Sequence, residues 1–203
     1  MGEWSYAHLD EFVPEERPIC YGVLKPGSFD PDGVPLVRIV DMDGDAVDHS
    51  ALFKINPALD RAFARSRLSG DEVLLSIQGT VGRVALATPR LRDANISRTV
   101  ARIALDTDRY NSSFLRYWLR GDEGQRKLSD ALVGTTRSSL NISALRRISV
   151  PVPPLEEQRR IAEVLDTIDD TIRAERASLD KKRFVREGLA TDLLTGRVRT
   201  PPG

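Results

Sequence analysis

Residues 150–172 read VPVPPLEEQRRIAEVLDTIDDTI, and no other stretch of this 203-residue chain constrains its fold as tightly. Pro153 and Pro154 cannot donate backbone hydrogen bonds, so they end the strand-like run before them, and Pro154 suits the first turn of a new helix. Glu156 and Glu157 follow where negative charge favours the positive end of the helix dipole. Ile161, Leu165, Ile168 and Ile172 then alternate steps of four and three, the spacing of a coiled-coil seam. Arg159, Arg160, Glu163, Asp169 and Arg173 lie largely off that seam. Beyond it, Leu179, Phe184, Val185, Leu189 and Leu193 continue a weaker apolar face, with a bend or break expected at Gly188. A helix over 155–194 would extend roughly 60 Å. That is too long to lie across a small domain, so the helix is expected to project. The spacing alone leaves two readings open, a helix seeking a partner for its seam and a helix folded back on its own core.

A chain of this length can bury one substantial core and a smaller appendage. Its composition, 40% hydrophobic and 30% charged, is that of a soluble globular protein. No apolar run approaches the roughly 18 residues of a membrane span, and the start, MGEWSYAHLDEF, carries neither a basic leader nor an apolar stretch. The expectation is a cytoplasmic protein without membrane contact. Cys20 is the single cysteine, which excludes an internal disulfide and any cysteine-rich metal site.

The formal net charge of zero hides an asymmetry. Residues 1–60 hold twelve Asp and Glu against four Lys and Arg, whereas residues 61–150 hold eight against sixteen. The basic residues of the middle are nearly all arginine, the side chain suited to bidentate contact with phosphate or guanine. Charge by itself favours the plainer reading, a solvated surface laced with internal ion pairs.

Short strands are predicted at VPLVRIV (34–40), EVLLSIQ (72–78), VGRVALAT (81–88), SRTVARIAL (97–105) and RISVPV (147–152), where β-branched and aliphatic residues cluster between turn signals. Between the last two, the spacing becomes helical, with Phe114, Leu115, Trp118 and Leu119 on one face and Gly121 as the stop. The fold class is therefore α+β, a compact mixed domain over residues 1–150 followed by one long projecting coiled-coil-type helix over 151–196 and a tail over 197–203.

Several of these segments carry a resemblance. VPVPPLEEQRRIAEVLD resembles the spacer-helix signature of the specificity (S) subunits of type I restriction-modification systems, in which Pro153, Pro154, Leu155, Glu157 and Gln158 match the helix-start motif. YGVLKPG (21–27), GDEVLLSIQGTVGRVA (70–85), NISR (95–98), GTTRSSLNISALRRISVPVPPLEEQ (134–158) and LLTGRVR (193–199) look like the ordered elements of one target recognition domain and its following helix. Typical members carry two such domains and two helices, each domain reading half of a split DNA sequence. This chain resembles a half-length form.

The resemblance implies DNA binding without chemistry. It also implies a homodimer through the seam of Ile161, Leu165, Ile168, Ile172 and Leu179. Two identical readers would meet a bipartite, palindromic double-stranded DNA target, with the helix pair as ruler. The same helices would dock a modification methyltransferase subunit, which would hold S-adenosylmethionine, and through it a restriction or translocase subunit; no cofactor is expected in this chain. The candidate DNA contacts are Lys25 and Ser28 in LKPGS, Gln78, Thr80 and Arg83 in SIQGTVGR, Arg98 after NIS, and Thr135, Thr136 and Arg137 in GTTRS. Two alternatives stay open: a recognition subunit of another methyltransferase-based defence system, and a half subunit that pairs with an unlike partner.

An enzymatic reading finds little support. The near miss to an adenine-methyltransferase motif, NPAL at 56–59, lacks the second proline and the aromatic. A nuclease pairing of Pro31 and Asp32 with Asp180, Lys181 and Lys182 would place half the site in the long helix. His8 and His49 stand apart from any cluster at metal-ligand spacing, and there is no phosphate-binding glycine loop of the P-loop type.

Overall fold

EVLLSIQ and TVARIAL supply the strands around which the rest is packed. In the computed structural model, which describes residues 4–44, 46–132 and 139–199, the chain divides into two compact units, Met1–Ala162 and Glu163–Gly203. In chain order the strands and α-helices are β1 (Ser5–His8), β2 (Cys20–Tyr21), β3 (Val34–Val37), β4 (Met42–Asp43), β5 (Ala46–Val47), β6 (Phe53–Ile55), α1 (Pro57–Ala62), β7 (Val73–Ser76), β8 (Val84–Leu86), β9 (Asn95–Ile96), β10 (Val100–Ile103), α2 (Ser112–Arg120), α3 (Asp122–Leu132), α4 (Ile142–Arg146), β11 (Ser149–Val152) and α5 (Leu155–Leu194).

β7 and β10 pair antiparallel, Val100 opposite Ser76 and Ile103 opposite Val73, within a four-stranded sheet of order β2-β10-β7-β8. Every residue of both strands is buried, so both faces of the sheet are covered. Val73, Leu75, Ala101 and Ile103 point into one core with Leu115, Leu119, Leu145 and Val150. Leu74, Ala85 and Val100 point into a second with Val37, Met42, Leu91 and Ile96. A second sheet, β6-β3-β9, pairs β3 antiparallel to β6 and parallel to β9. The predicted strands over 34–40, 72–78, 81–88, 97–105 and 147–152 all exist, each shorter than predicted.

The predicted helix over 112–120 is α2, capped by Asn111, whose side chain accepts from the Phe114 N–H. Gly121 ends it as expected, but the chain turns at once into α3. That turn requires Gly124, because a Cβ there would lie 2.2 Å from the Trp118 carbonyl oxygen.

β1 and β11 form their own antiparallel pair, Ser5 opposite Val152 and His8 opposite Ser149. Just after β11 comes the proline pair. Pro153 is buried, and the carbonyl of Pro154 accepts from the Glu157 and Gln158 N–H groups to open α5. Gln158 is 1% exposed and saturated: its Oε1 accepts from the Asn111 N–H at 2.9 Å, and its Nε2 donates to the Pro153 carbonyl at 2.9 Å. One amide thus ties the first turn of α5 to the segment that caps α2.

In the second unit, α5 continues without interruption through Gly188, so the expected bend is absent; a Cβ at Gly188 would meet nothing within 4 Å. Within the helix, Ile161 and Leu165 are half-buried, whereas Ile168, Ile172 and Leu179 are 50%, 38% and 47% exposed. The Arg159–Glu156, Arg173–Asp170 and Arg183–Asp180 ion pairs stand off the seam at i,i+3 spacing. Gly196, at φ 71°, terminates the helix by turning its N–H back to the Leu193 carbonyl. Among the described residues no helix is long and apolar enough to cross a membrane.

Replacing Gln158 by Ala should cost about 1–3 kcal/mol, because the Asn111 N–H and the Pro153 carbonyl lose buried partners. Glu156→Gln, on an exposed neighbour, should change stability by less than about 0.5 kcal/mol. Urea unfolding of the two variants beside the parent checks this; equal midpoints would refute the clamp.

Candidate nucleic-acid interface

The run TVARIAL puts an arginine in the middle of the strand β10. Strand alternation sends Arg102 to the same face as Val100, opposite Leu74 of β7 and Cys20 of β2, and leaves it 3% exposed. Its Nη2 donates to the Pro18 carbonyl at 3.1 Å, while its buried Nε has no hydrogen-bond partner. Arg102 lines a cavity of about 510 Å³ together with Arg17, Arg65, Arg67 and Arg146, with Glu16, Cys20, Tyr21 and Asp93 also in its wall. The five arginines come from four separate segments of the sequence.

Backbone and carboxylate partners hold four of these arginines, Arg17, Arg67, Arg102 and Arg146, in place. Arg146, in the last turn of α4, donates to the Ile19 carbonyl at 2.9 Å. Arg67 pairs with Asp60 at the end of a buried network, in which Asn95 Nδ2 donates to Asp60 at 2.9 Å and the Ser66 hydroxyl donates to Asn95 Oδ1 at 2.7 Å. Asn95 of the NISR segment is therefore a structural clamp, fully buried. Arg17 pairs with Glu72.

A second cavity, of about 410 Å³, adjoins the first and shares Tyr21 and Ile142 with it. It brings together Gln78 and Arg98 with Leu24, Ser139 and Asn141. The arrangement is set by the backbone: Gln78 bridges to Ser139, Leu140 N–H donates to the Ile77 carbonyl, and Arg98 N–H donates to the Val23 carbonyl. Asn141 caps α4, its side chain accepting from the Ser143 N–H.

Of the other sequence candidates, Lys25, Ser28, Thr80 and Arg83 lie outside the lining of both cavities. Lys25 and Ser28 are exposed on the loop that continues from Leu24, where Gly27 takes φ 73°. Thr80 and Arg83 lie on the turn between β7 and β8, which Ser76 knits by donating its hydroxyl to the Thr80 carbonyl and accepting from the Arg83 N–H. The Arg83 guanidinium donates to the carbonyl of Met42, in β4, at 3.2 Å. Gln125 of α3 supports the same turn by donating to the Gly82 carbonyl. Thr135, Thr136 and Arg137 lie outside the described residues. Sequence reasoning missed the arginine cavity; its one local signal was a charged residue inside an otherwise apolar strand. Among the described residues no group of three or more His, Cys, Asp or Glu is placed to hold a metal ion.

A family model described as the type I restriction modification DNA specificity domain matches residues 62–181. The specificity subunit of the Escherichia coli type I restriction enzyme EcoBI is 33% identical over 159 residues, which cover 78% of this chain and 33% of that protein. The MjaVIII specificity subunit of Methanocaldococcus jannaschii is 28% identical over 134 residues, 64% of this chain and 32% of that one. Two solved structures share the fold. One, from work on complex assembly and conformational transition of the type I R-M system, has a TM-score of 0.67 at 23% identity and covers 92% of this chain and 44% of its own. The other, the HsdS subunit from Thermoanaerobacter tengcongensis, has a TM-score of 0.61 at 24% identity and covers 85% and 39%. The chain spans about a third of the length of the curated relatives it matches.

Electrostatics of the cavity wall turn on Glu72 and Arg102. Burial opposes the charge of Glu72, but the Ser69 and Gly70 N–H groups and the Arg17 guanidinium outweigh it and hold its pKa below the ordinary 4.5. Burial likewise lowers the pKa of Arg102, which nevertheless remains a cation at neutral pH. Because the folded-state pKa of Glu72 is depressed, its ionisation stabilises the fold at pH above about 4.5, and that contribution is lost as pH falls through the folded value. Glu72→Gln should lose about 1–3 kcal/mol at neutral pH, and the deficit should shrink on acidification. Unfolding curves across a pH series check the sign; a deficit that grows toward low pH would contradict it.

Proposed function

The chain belongs to the family of type I restriction modification DNA specificity domains, and on that footing we propose that it is a non-catalytic, sequence-specific reader of double-stranded DNA. The observation that carries the reading is the pair of adjoining cavities around Tyr21, one walled by arginines and the other presenting Gln78 and Arg98. Arginines and backbone amides position phosphates, while a few polar side chains meet base edges. An amide such as Gln78 can bond an adenine edge in a bidentate way, and an arginine such as Arg98 a guanine edge. Lys25, Ser28, Thr80 and Arg83, on loops and turns outside the two cavities, belong to the same reading. Thr135, Thr136 and Arg137 belong to the same reading by their place in the sequence, just ahead of Ser139, which bridges to Gln78.

In this reading residues 1–150 form the recognition domain and residues 151–196 the spacer and dimerisation helix. The exposure of Ile168, Ile172 and Leu179 supports a partner for the seam, and an identical helix running antiparallel supplies one. A two-fold dimer of identical readers recognises inverted identical half-sites separated by an unread spacer. The helix pair then docks a modification methyltransferase subunit, which brings S-adenosylmethionine, and with it a restriction or translocase subunit. All of this takes place in the cytoplasm.

A map of methylated adenines in cells with and without the gene tests the function. Loss of one split motif with inverted identical halves is expected; an asymmetric motif would point to an unlike partner for the helix, and an unchanged map would sink the specificity reading. Leu165→Asp combined with Ile168→Asp should abolish self-association in sedimentation experiments while the Met1–Ala162 unit stays folded. A dimer that survives both charges would refute the seam.

A further inference from the structure

We infer that the cavity walled by Arg17, Arg65, Arg67, Arg102 and Arg146 is a phosphate site, filled in function by a backbone phosphodiester of the DNA. The inference rests on the DNA-reading function and assigns that function an anchor. Its starting point is Arg102, a guanidinium on a buried strand. A buried cation is costly unless an anion or a full set of acceptors compensates it.

Two nearby carboxylates, Glu72 and Asp60, are already engaged. Glu72 accepts from three backbone N–H groups and from Arg17, and Asp60 accepts from Arg67 and Asn95. Arg102 and Arg146 instead donate to carbonyls, at Pro18 and Ile19, which supply partial rather than full negative charge. The Nε of Arg102 remains without a partner. Glu16 and Asp93, also in the wall, disfavour an anion near themselves.

A tetrahedral oxyanion matches this wall, since guanidinium forks bind phosphate oxygens in pairs. The volume, about 510 Å³, admits a phosphate with part of its flanking sugars. The source is indicated by the second cavity. Through the shared Tyr21 and Ile142, a phosphate held here lies beside Gln78 and Arg98, as a backbone must lie beside the bases being read.

The test uses the full chain, labelled duplex DNA and a salt series, with Arg146→Gln and Arg102→Gln. Arg146 is only half-buried, so its variant tests the site even where Arg102→Gln fails to fold. Loss of this phosphate contact should weaken binding to all duplex sequences alike and flatten the slope of log affinity against log salt by about one for each protomer bound. A folded Arg146→Gln with unchanged affinity and slope would overturn the anchor while leaving the DNA-reading function intact. Should the parent chain bind no duplex at all, that function fails, and the backbone source with it. Inorganic phosphate, titrated at fixed ionic strength, then separates the remaining outcomes. A melting temperature that phosphate raises in the parent but not in Arg146→Gln supports a site for free phosphate. No rise in either removes the site altogether.

Discussion

The pairing of β7 with β10 is the constraint from which most of the first unit follows. Because both faces of this strand pair are covered, each residue in it must be apolar or must find a buried partner. Leu74 and Leu75 meet the first condition by facing opposite cores. Ser76 meets the second by closing the turn to β8 on itself. Glu72, just before β7, gathers three backbone N–H groups and an arginine. Arg102 meets neither condition in full, and it is the residue that opens onto a cavity. Where a local rule is broken inside a well-packed sheet, the cause is commonly a ligand.

The two cavities show how a recognition surface is assembled from distant segments. Arg17, Arg65, Arg102 and Arg146 reach one place because the segment before β2, the segment after α1, the strand β10 and the helix α4 converge there. Gln78 and Arg98 reach the next because residues 139–140 pair with residues 77–78 while Arg98 is held to Val23. No charge run in the sequence marks either site.

Legibility followed the range of the interactions involved. β-branched runs bounded by glycine announced the longer strands, and the seam of α5 was visible because its period is local. α3 was hidden: Gly121 read as a terminator, and GDEGQRKLSD is too polar to advertise a buried face, although Gly124 and Leu128 pack inward. Two-residue strands such as β2 and β9 have no period to detect. At the helix start, charge drew attention to Glu156 and Glu157, whereas the buried neighbour Gln158 makes the tertiary bonds. A polar residue's burial is decided by segments far away in sequence, which is also why Asn95 was read as part of a motif and not as a clamp.

The pairing of β1 with β11 bears on the order in which the chain can fold as it is made. Ser5 leaves the ribosome well before its partner Val152, which follows 147 positions later. A contact of such sequence separation closes late, after its loop entropy has been offset by the sheets between. Gln158, only six residues beyond Val152, emerges at nearly the same moment. The last strand of the first unit and the first turn of the long helix therefore lock together in one step, so that the helix begins from a finished platform.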